Sequence, residues 1–476
     1  MMSLPSAPPR YEFNEKWSIE LDRRLTSAAG DLPSDEPERL YTFHPRLDVG
    51  LQGQQVDDFI HSLYPDLIRR QKATHPPAVR CALFAIACCR SYENVGFLQK
   101  TTTTSTAAPK RYAQAPFKPP LFAKILKELA DRGYLVRHKG FKTDRFPEGL
   151  TTLWLPTDSG RRLVRDVTPG ACVSFLSEGR ELVVLKSEDK VEVDYEDTDT
   201  TRDIRAQLAR TNAARVKCSW RYRAIDLDDS DEHRKASNYD DEALAALNAN
   251  ISVYENDWTN LGAVDLECRR IFNGSFTAGG RYYCPAQNLR KIERETLEID
   301  GKSTIELDFK SHQARILYHL KSLDSPEDCY DLPGRPRAVW KHIGQLAMSC
   351  KSRGEALNNL RRKYEIETDE AEEMLAAYQD RHRDVADIMF RAKWAELQYA
   401  DSELTRSILD GALEQGIPVL PVHDSYITST EHGSALGELM RRCYHDAFGY
   451  EARIGGFDHE YTRQLVSELE GQNKNR

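Results

Sequence analysis

Glu306-Leu307-Asp308-Phe309-Lys310-Ser311-His312-Gln313-Ala314-Arg315-Ile316-Leu317 and, further along, Leu420-Pro421-Val422-His423-Asp424-Ser425-Tyr426-Ile427 each bring an apolar, strand-like run to an aspartate. The bland reading of an aspartate after a strand is a turn cap, because its carboxylate bonds readily to the backbone two residues on. Two such carboxylates brought side by side have a second use. They can hold two Mg²⁺ ions in line with a phosphoryl transfer.

Working outward, Asp308 to Leu317 resembles motif A of the family A DNA polymerases, which reads Asp-Tyr-Ser-x-x-Glu-x-Arg-hydrophobic-Leu. Asp308, Phe309, Arg315, Ile316 and Leu317 fit in register; Lys310 stands for the small Ser and Gln313 for the Glu. Val422-His423-Asp424-Ser425 resembles motif C, with the Ser of the single-subunit RNA polymerases where DNA enzymes carry Glu. Upstream, Ala278-Gly279-Gly280-Arg281-Tyr282-Tyr283-Cys284-Pro285 is similar to the Gly-Arg-x-Tyr segment of the same superfamily, which contacts template and primer. A lone His-Asp pair arises often by chance; three motifs in the right order are a much stronger signal. The resemblance spans residues 263–450 and leaves the N-terminal half uncovered.

Composition sets the frame. The chain has 476 residues, 30% of them charged, and a net charge of −9. That length suits two or three domains and a sizeable core. The negative balance excludes a basic nucleic-acid coat, so any polyanion contact must be local. No apolar run approaches the ~18 residues of a membrane span, and Met1-Met2-Ser3-Leu4-Pro5 does not read as a secretory start. The ten cysteines are scattered without a Cys-x-x-Cys. A reducing cytoplasm without zinc or disulfides is expected.

Residues 1–77 show no chemistry and read as irregular and helical. From Ala78 to Arg90 an apolar helix is expected; Thr101 to Pro109 is a low-complexity loop. Pro119-Pro120 opens a helix with Leu121, Ile125, Leu126 and Leu129 on one face, ending at Gly133. The strand Tyr134–Val136, a basic loop and the strand Thr151–Leu155 follow, in the order of a winged helix. Ten cations between Lys110 and Arg145 face three acids there. They suit duplex phosphates, or equally a solvated face or a protein contact. Leu182–Leu185 and Val191–Val193 read as a strand pair, and Thr201–Ala214 as a helix. Asp226 to Glu232 reads as an acidic linker, with no second acidic motif to make a proofreading site.

The interval between Asp308 and Asp424 is short for a DNA polymerase of that family, so the fingers should be reduced. Within it, Arg337 and Lys341 lie one helical turn apart. The family's nucleotide-binding helix carries such a pair, and the resemblance makes Arg337 a γ-phosphate ligand and Lys341 a proton donor to pyrophosphate. The aromatic residue expected under the incoming sugar is replaced by Met348 or Cys350. Thr368 should cap an acidic first turn, and the apolar stripe from Met374 to Leu397 reads as core. Pro418 and Pro421 mark the strand before Asp424 as edge-like.

The expected class is α+β: a right-hand polymerase palm with reduced fingers, preceded by a winged-helix N-terminal region. The expected divisions are 1–77, irregular and helical; 78–170, winged helix; 171–262, a connecting, thumb-like region; and 263–476, palm and fingers. The resemblance implies a nucleotidyltransferase extending a 3′-hydroxyl. Asp308, Asp424 and the Phe309 carbonyl would ligate two Mg²⁺ ions, with Mn²⁺ an alternative. Gln313 and Phe309 would meet the nucleotide, and Arg281, His423 and Arg315 the primer and template. Ser425 leans to RNA and the motif A register to DNA. Two rival classes stay open: a winged-helix regulator with an inactive polymerase-like half, and a template-independent terminal transferase. The implied partners are nucleoside triphosphates and a nucleic-acid template and primer, with no membrane.

Overall fold

The computed structural model describes residues 49–89, 95–99, 110–112, 116–142, 150–168, 171–176, 180–223 and 258–458, with short pieces at 12–13, 21, 40–43, 226–227 and 251–252. The Thr101–Pro109 loop, most of the basic loop and residues 228–232 of the acidic run lie outside them. Asp226 and Leu227, read as linker, form a short strand on Ile251–Ser252. Helix and sheet are mixed throughout, and the chain divides into two compact units. One comprises residues 1–181 with 257–265, the other 182–256 with 266–476. Among the described residues no helix is long and apolar enough to cross a membrane.

In the first unit the helix His75–Cys88 is apolar on nearly every side and is buried accordingly. It packs with Ile125, Leu126 and Leu129 of the helix Pro119–Asp131, whose two leading prolines suit the first turn. Gly133, at φ 82°, releases the chain into the strand Leu135–His138, which pairs antiparallel with Leu153–Pro156. The strand Val95–Leu98 extends that sheet, its Leu98 opposite Leu153. Lys124 and Lys127 of the basic stretch are engaged within their own helix, with Glu128 at 3.6 Å and Asp131 at 2.8 Å.

The second unit is built on β6 (Lys302–Phe309), whose Thr304, Ile305, Leu307 and Phe309 suit a half-buried strand. Along one edge β6 pairs antiparallel with β8 (Ser425–Ser429), and β8 pairs with β7 (Leu420–Val422). Its other edge takes β9 (Ile454–Asp458) and then, at its start, β5 (Glu298–Ile299), which leads to β2 (Trp220–Arg223). A second sheet joins β1 (Val183–Lys186), β3 (Arg269–Asn273) and β4 (Ser275–Tyr283). The long helix α6 (Trp394–Glu414) lies along β4 and against α7 (Gly433–Phe448). Three helices, α3 (Arg337–Ser349), α4 (Arg353–Tyr364) and α5 (Thr368–Arg381), share a core of Trp340, Ile343, Leu360, Leu375 and Tyr378. Glu367, not Thr368, occupies the cap of α5 and makes no capping bond. Gly344 gives α3 a close approach: a Cβ there would meet the Tyr378 hydroxyl at 2.6 Å and the Tyr330 ring at 2.8 Å.

The helix α1 (Asp199–Arg215) is tied in by one buried cation. Arg215 Nε donates to the Val419 carbonyl at 2.8 Å, and Nη1 to the Leu266 carbonyl and Asn212 Oδ1, both at 2.9 Å. Val419 precedes β7, so this guanidinium anchors the approach to Asp424. Arg215→Met would leave those carbonyls without donors, and buried orphaned acceptors cost about 1–3 kcal/mol each. Urea denaturation should show a loss of roughly 3 kcal/mol; a change below ~0.5 kcal/mol would contradict the anchoring role.

Candidate active site

The register of β6 against β8 builds the site. Asp308 is paired with Ser425, and Asp424 is the residue before Ser425 in the turn from β7. Two carboxylates therefore share one end of the sheet. His423, the other turn residue, adopts a left-handed backbone with φ 58°. That conformation is costly for a residue with a side chain and is commonest at functional sites. Below the pair, the Ser425 hydroxyl donates to Val422 O at 3.0 Å and to the buried Glu306 carboxylate, which Arg294 Nε approaches to 3.4 Å.

Burial, then the charge of Asp424, push the Asp308 carboxyl from its ordinary 3.8 up to about 7, against the opposite pull of His312 and Lys341. Neither Asp308 nor Asp424 has an ion-pair partner among the described residues. Two carboxylates crowded in a partly dry place, with Lys341 near but no ion pair to either among the described residues, fit a divalent cation. Among the described residues no group of three or more His, Cys, Asp or Glu side chains forms a metal cage. Mg²⁺ is usually held by one or two carboxylates, waters and substrate phosphates, and the two aspartates are carboxylates of that kind.

The other candidates fall into three pairs, with Gln313 apart. Lys341 is exposed on α3 and close enough to lower the Asp308 pKa, while Arg337, at the start of α3, grips Asp328 through Nε at 2.6 Å and Nη2 at 3.1 Å. Arg281 and His423 are neighbours of the pair: burial and the Arg281 charge hold the His423 imidazole below its ordinary value. Phe309 and Arg315 are turned inward. The Phe309 ring is buried, stacked on His312 at 4.8 Å, so only its backbone can serve the site. Arg315 is buried too, and its guanidinium is consumed by Lys310 O at 3.0 Å, Ser325 Oγ at 2.6 Å, Pro326 O at 3.1 Å and Glu327 O. It braces the loop after α2 (His312–His319) instead of meeting a primer. Gln313 is half-buried in the first turn of α2.

Sequence reasoning passed over three residues. Asp401, in the middle of α6, is fully buried; its carboxylate takes Arg281 Nε at 2.9 Å and His312 Nε2 at 2.9 Å. It thereby joins the Arg281 strand to the helix that follows Asp308, and those hydrogen bonds and charges, against burial, hold its pKa below the ordinary range. Asp328 positions Arg337. Tyr330 packs on α3 beside it, with the Arg337 guanidinium 5.3 Å from its ring. Met348 and Cys350 are both buried, and Tyr330, from the loop before α3, is one of two aromatics, with Tyr378, that pack against this helix at Gly344. No local spacing signals any of these.

No family model matches the chain, and no curated protein matches it. Among solved structures 41 chains match. One is the POL domain of Pol1 from M. smegmatis in complex with DNA primer-template and dNTP, at 17% identity and a TM-score of 0.31, covering 47% of this chain and 51% of that one. The chain thus spans about half the length of that domain.

An acid whose pKa is raised by folding keeps its proton longer in the folded chain. The stability linked to Asp308 is whole below its ordinary 3.8, falls as pH rises toward about 7, and stays lost above that. In metal-free buffer Asp308→Asn should therefore be the more stable form at pH 8, on the order of 3 kcal/mol, with the gap closing toward pH 4. Thermal unfolding of both proteins across that range checks it; a gap that does not change with pH would sink the assignment.

Proposed function

We propose that the chain is a polynucleotide polymerase: a nucleotidyltransferase that adds nucleotides from nucleoside triphosphates to a 3′-hydroxyl. The observation that supports it most is the register that sets Asp424 beside Asp308, in the strand-turn-strand pattern of motifs A and C. Asp308, Asp424 and the Phe309 backbone carbonyl are the groups that would hold two Mg²⁺ ions, or Mn²⁺ in their place. When bound, such ions lower the pKa of the attacking hydroxyl and neutralise phosphate charge.

The remaining work falls to side chains. Lys341, exposed and without an ion-pair partner among the described residues, meets the phosphates and can pass a proton to the departing pyrophosphate. Arg337 binds the γ-phosphate, with Asp328 orienting its guanidinium beforehand. Arg281, aimed by Asp401, and His423 contact the primer terminus and its template. Gln313 borders the sugar; its amide keeps much of the bulk of a glutamate without the charge, so it discriminates weakly against a 2′-hydroxyl. The basic hairpin of the first unit, read as a winged helix, supplies duplex phosphate contacts.

A labelled primer–template, offered dNTPs or NTPs with Mg²⁺, tests the reading, and the same primer without template separates a terminal transferase. Asp308→Ala and Asp424→Ala should each abolish incorporation; near-parental synthesis by either folded variant would exclude the two-carboxylate mechanism. Arg337→Ala should raise the nucleotide KM and Lys341→Ala lower kcat, each by about 2 kcal/mol, or some thirtyfold. The parent should prefer one sugar by no more than about two orders of magnitude, or ~3 kcal/mol. Gln313→Glu should shift the kcat/KM ratio toward dNTPs. A ratio that ignores this substitution would place the sugar gate elsewhere. Lys139→Gln with Lys142→Gln should flatten the salt dependence of duplex binding, by about one unit of slope for each phosphate no longer neutralised.

A further inference from the structure

Cys268 stands just before β3 and Cys284 just after β4. The two strands pair antiparallel, with Arg269 opposite Tyr283 and Arg270 opposite Tyr282. One step beyond that register sets Cys268 opposite Cys284. Successive side chains alternate between the faces of a sheet. Both cysteines therefore fall on the face of Arg270 and Tyr282, and all four residues are buried. The Arg270 guanidinium lies 5.1 Å from the Tyr282 ring, so cross-strand neighbours on this face meet. The cysteine backbones bond elsewhere. Cys268 N donates to Asn212 Oδ1 and its carbonyl accepts from Asn212 Nδ2, both at 2.9 Å. Cys284 N donates to Gln287 Oε1 at 3.3 Å, and its carbonyl accepts from Gln287 N at 3.2 Å. This is the narrow, non-hydrogen-bonded kind of antiparallel pair, in which side chains come closest. The two free thiols hydrogen-bond to each other.

Arg215, the buried cation of α1, reaches Cys268 as well. The hydrogen bond from Cys284, and then the Arg215 guanidinium, hold the Cys268 thiol below its ordinary value against the effect of burial. The same hydrogen bond, and then burial, push the Cys284 thiol up. One sulfur is thus poised as a thiolate nucleophile while its neighbour stays a thiol, an asymmetry that lets a dithiol oxidise in sequence. Glu267, Arg269, Tyr283 and Pro285, on either side of the two cysteines, are half-buried. The pair lies one residue below the surface, at the ends of two strands.

We propose that Cys268 and Cys284 form an oxidisable pair, a modification site at which hydrogen peroxide closes a cross-strand disulfide. The Cys268 sulfur attacks one peroxide oxygen, the O–O bond breaks, and the hydroxide released takes the Cys268 proton and leaves as water. The Cys284 sulfur then displaces hydroxide from the resulting sulfenic acid, and that hydroxide takes the Cys284 proton as a second water. The two thiols lose two electrons in all, and the peroxide gains them. The new bond joins two supports of the turn that carries Asp424. On the Cys268 side, Asn212 accepts from Arg215 at 2.9 Å, and Arg215 Nε holds the Val419 carbonyl. On the Cys284 side, Gln287 Nε2 holds the Pro421 carbonyl at 2.8 Å. In the oxidised chain these supports on either side of Leu420 become one covalent piece, whether or not the site polymerises nucleotides.

The test treats the full-length protein with hydrogen peroxide, caps the remaining thiols with iodoacetamide in urea, and maps the peptides by mass. The parent should yield a Cys268–Cys284 cross-linked peptide, lighter by two hydrogens than the reduced pair, and dithiothreitol should abolish it. The oxidised parent should melt several degrees above the reduced one, because a cross-link across the β3–β4 hairpin restricts the unfolded chain. Cys284→Ser should stop at a sulfenic acid on Cys268, trapped by dimedone, and Cys268→Ser should leave Cys284 capped. Neither variant should gain stability from peroxide. If the buried serines prevent folding, the peptide map of the parent decides by itself. Both cysteines recovered capped from the treated parent would overturn the proposal. So would a cross-link formed first by another cysteine pair, or a sulfinic acid on Cys268 with no cross-link. A melting shift equal in the parent and both serine variants would belong to other cysteines and would overturn it too.

Discussion

The pairing of β6 with β8 is what the rest of the second unit has to accommodate. Antiparallel register fixes Asp308 against Ser425 and so forces Asp424 alongside. Two negative charges in a half-dry place repel each other, and at neutral pH that repulsion opposes folding. The structure keeps them there through the buried residues beneath. Glu306 and Ser425 pin the hairpin to β6, and the interlocked rings of Phe309, His312, Tyr426 and Tyr444 pack the opposite face. A site that destabilises the unliganded chain is suited to bind cations, because the repulsion relieved on binding adds to affinity.

Around this pair the unit uses buried ions as joints. Asp401 ties Arg281 to His312, and Arg270, fully buried, reaches the Gly280 carbonyl at 2.7 Å, Ser402 at 2.8 Å and Glu403 at 2.7 Å. The first joint runs between β4 and α6 and the second from β3 past β4 to α6, where Gly279 and Gly280 have φ of 76° and 77° and the β3–β4 register shifts. An uncharged core would pack these elements as firmly, since buried ion pairs seldom add net stability. What a guanidinium–carboxylate joint supplies is direction: it sets the angle at which Arg281 leaves the strand. Removing one partner leaves a buried charge unpaired, so such joints tolerate little drift.

Much of the second unit could be read from local patterns. The apolar runs before Asp308 and Asp424 marked strands, and the prolines at 418 and 421 marked an edge, because proline cannot donate within a ladder. The one-turn spacing of Arg337 and Lys341 marked α3. What could not be read were the long-range partners. The strand Ile454–Asp458 contains two adjacent glycines, which weaken any strand signal, yet it lines β6 over five residues. Asp401 sits in an amphipathic helix where a carboxylate ordinarily faces water, and only the folded chain reveals it as buried. Arg315 fits its motif in register but points inward, since motif spacing fixes a residue's place on a helix and not the loop that closes over it.

The edge position of β7 has one more consequence. Proline at 421 removes an N–H from the outer side of the strand, and Gln287 Nε2 occupies its carbonyl at 2.8 Å. At that point the sheet offers a passing chain neither a donor nor a free acceptor. Exposed strand edges invite zippering between molecules, and here the strand so protected leads directly into the turn that carries Asp424. One imino acid and one amide thus close an edge that is already buried along its length, just before the turn that carries Asp424.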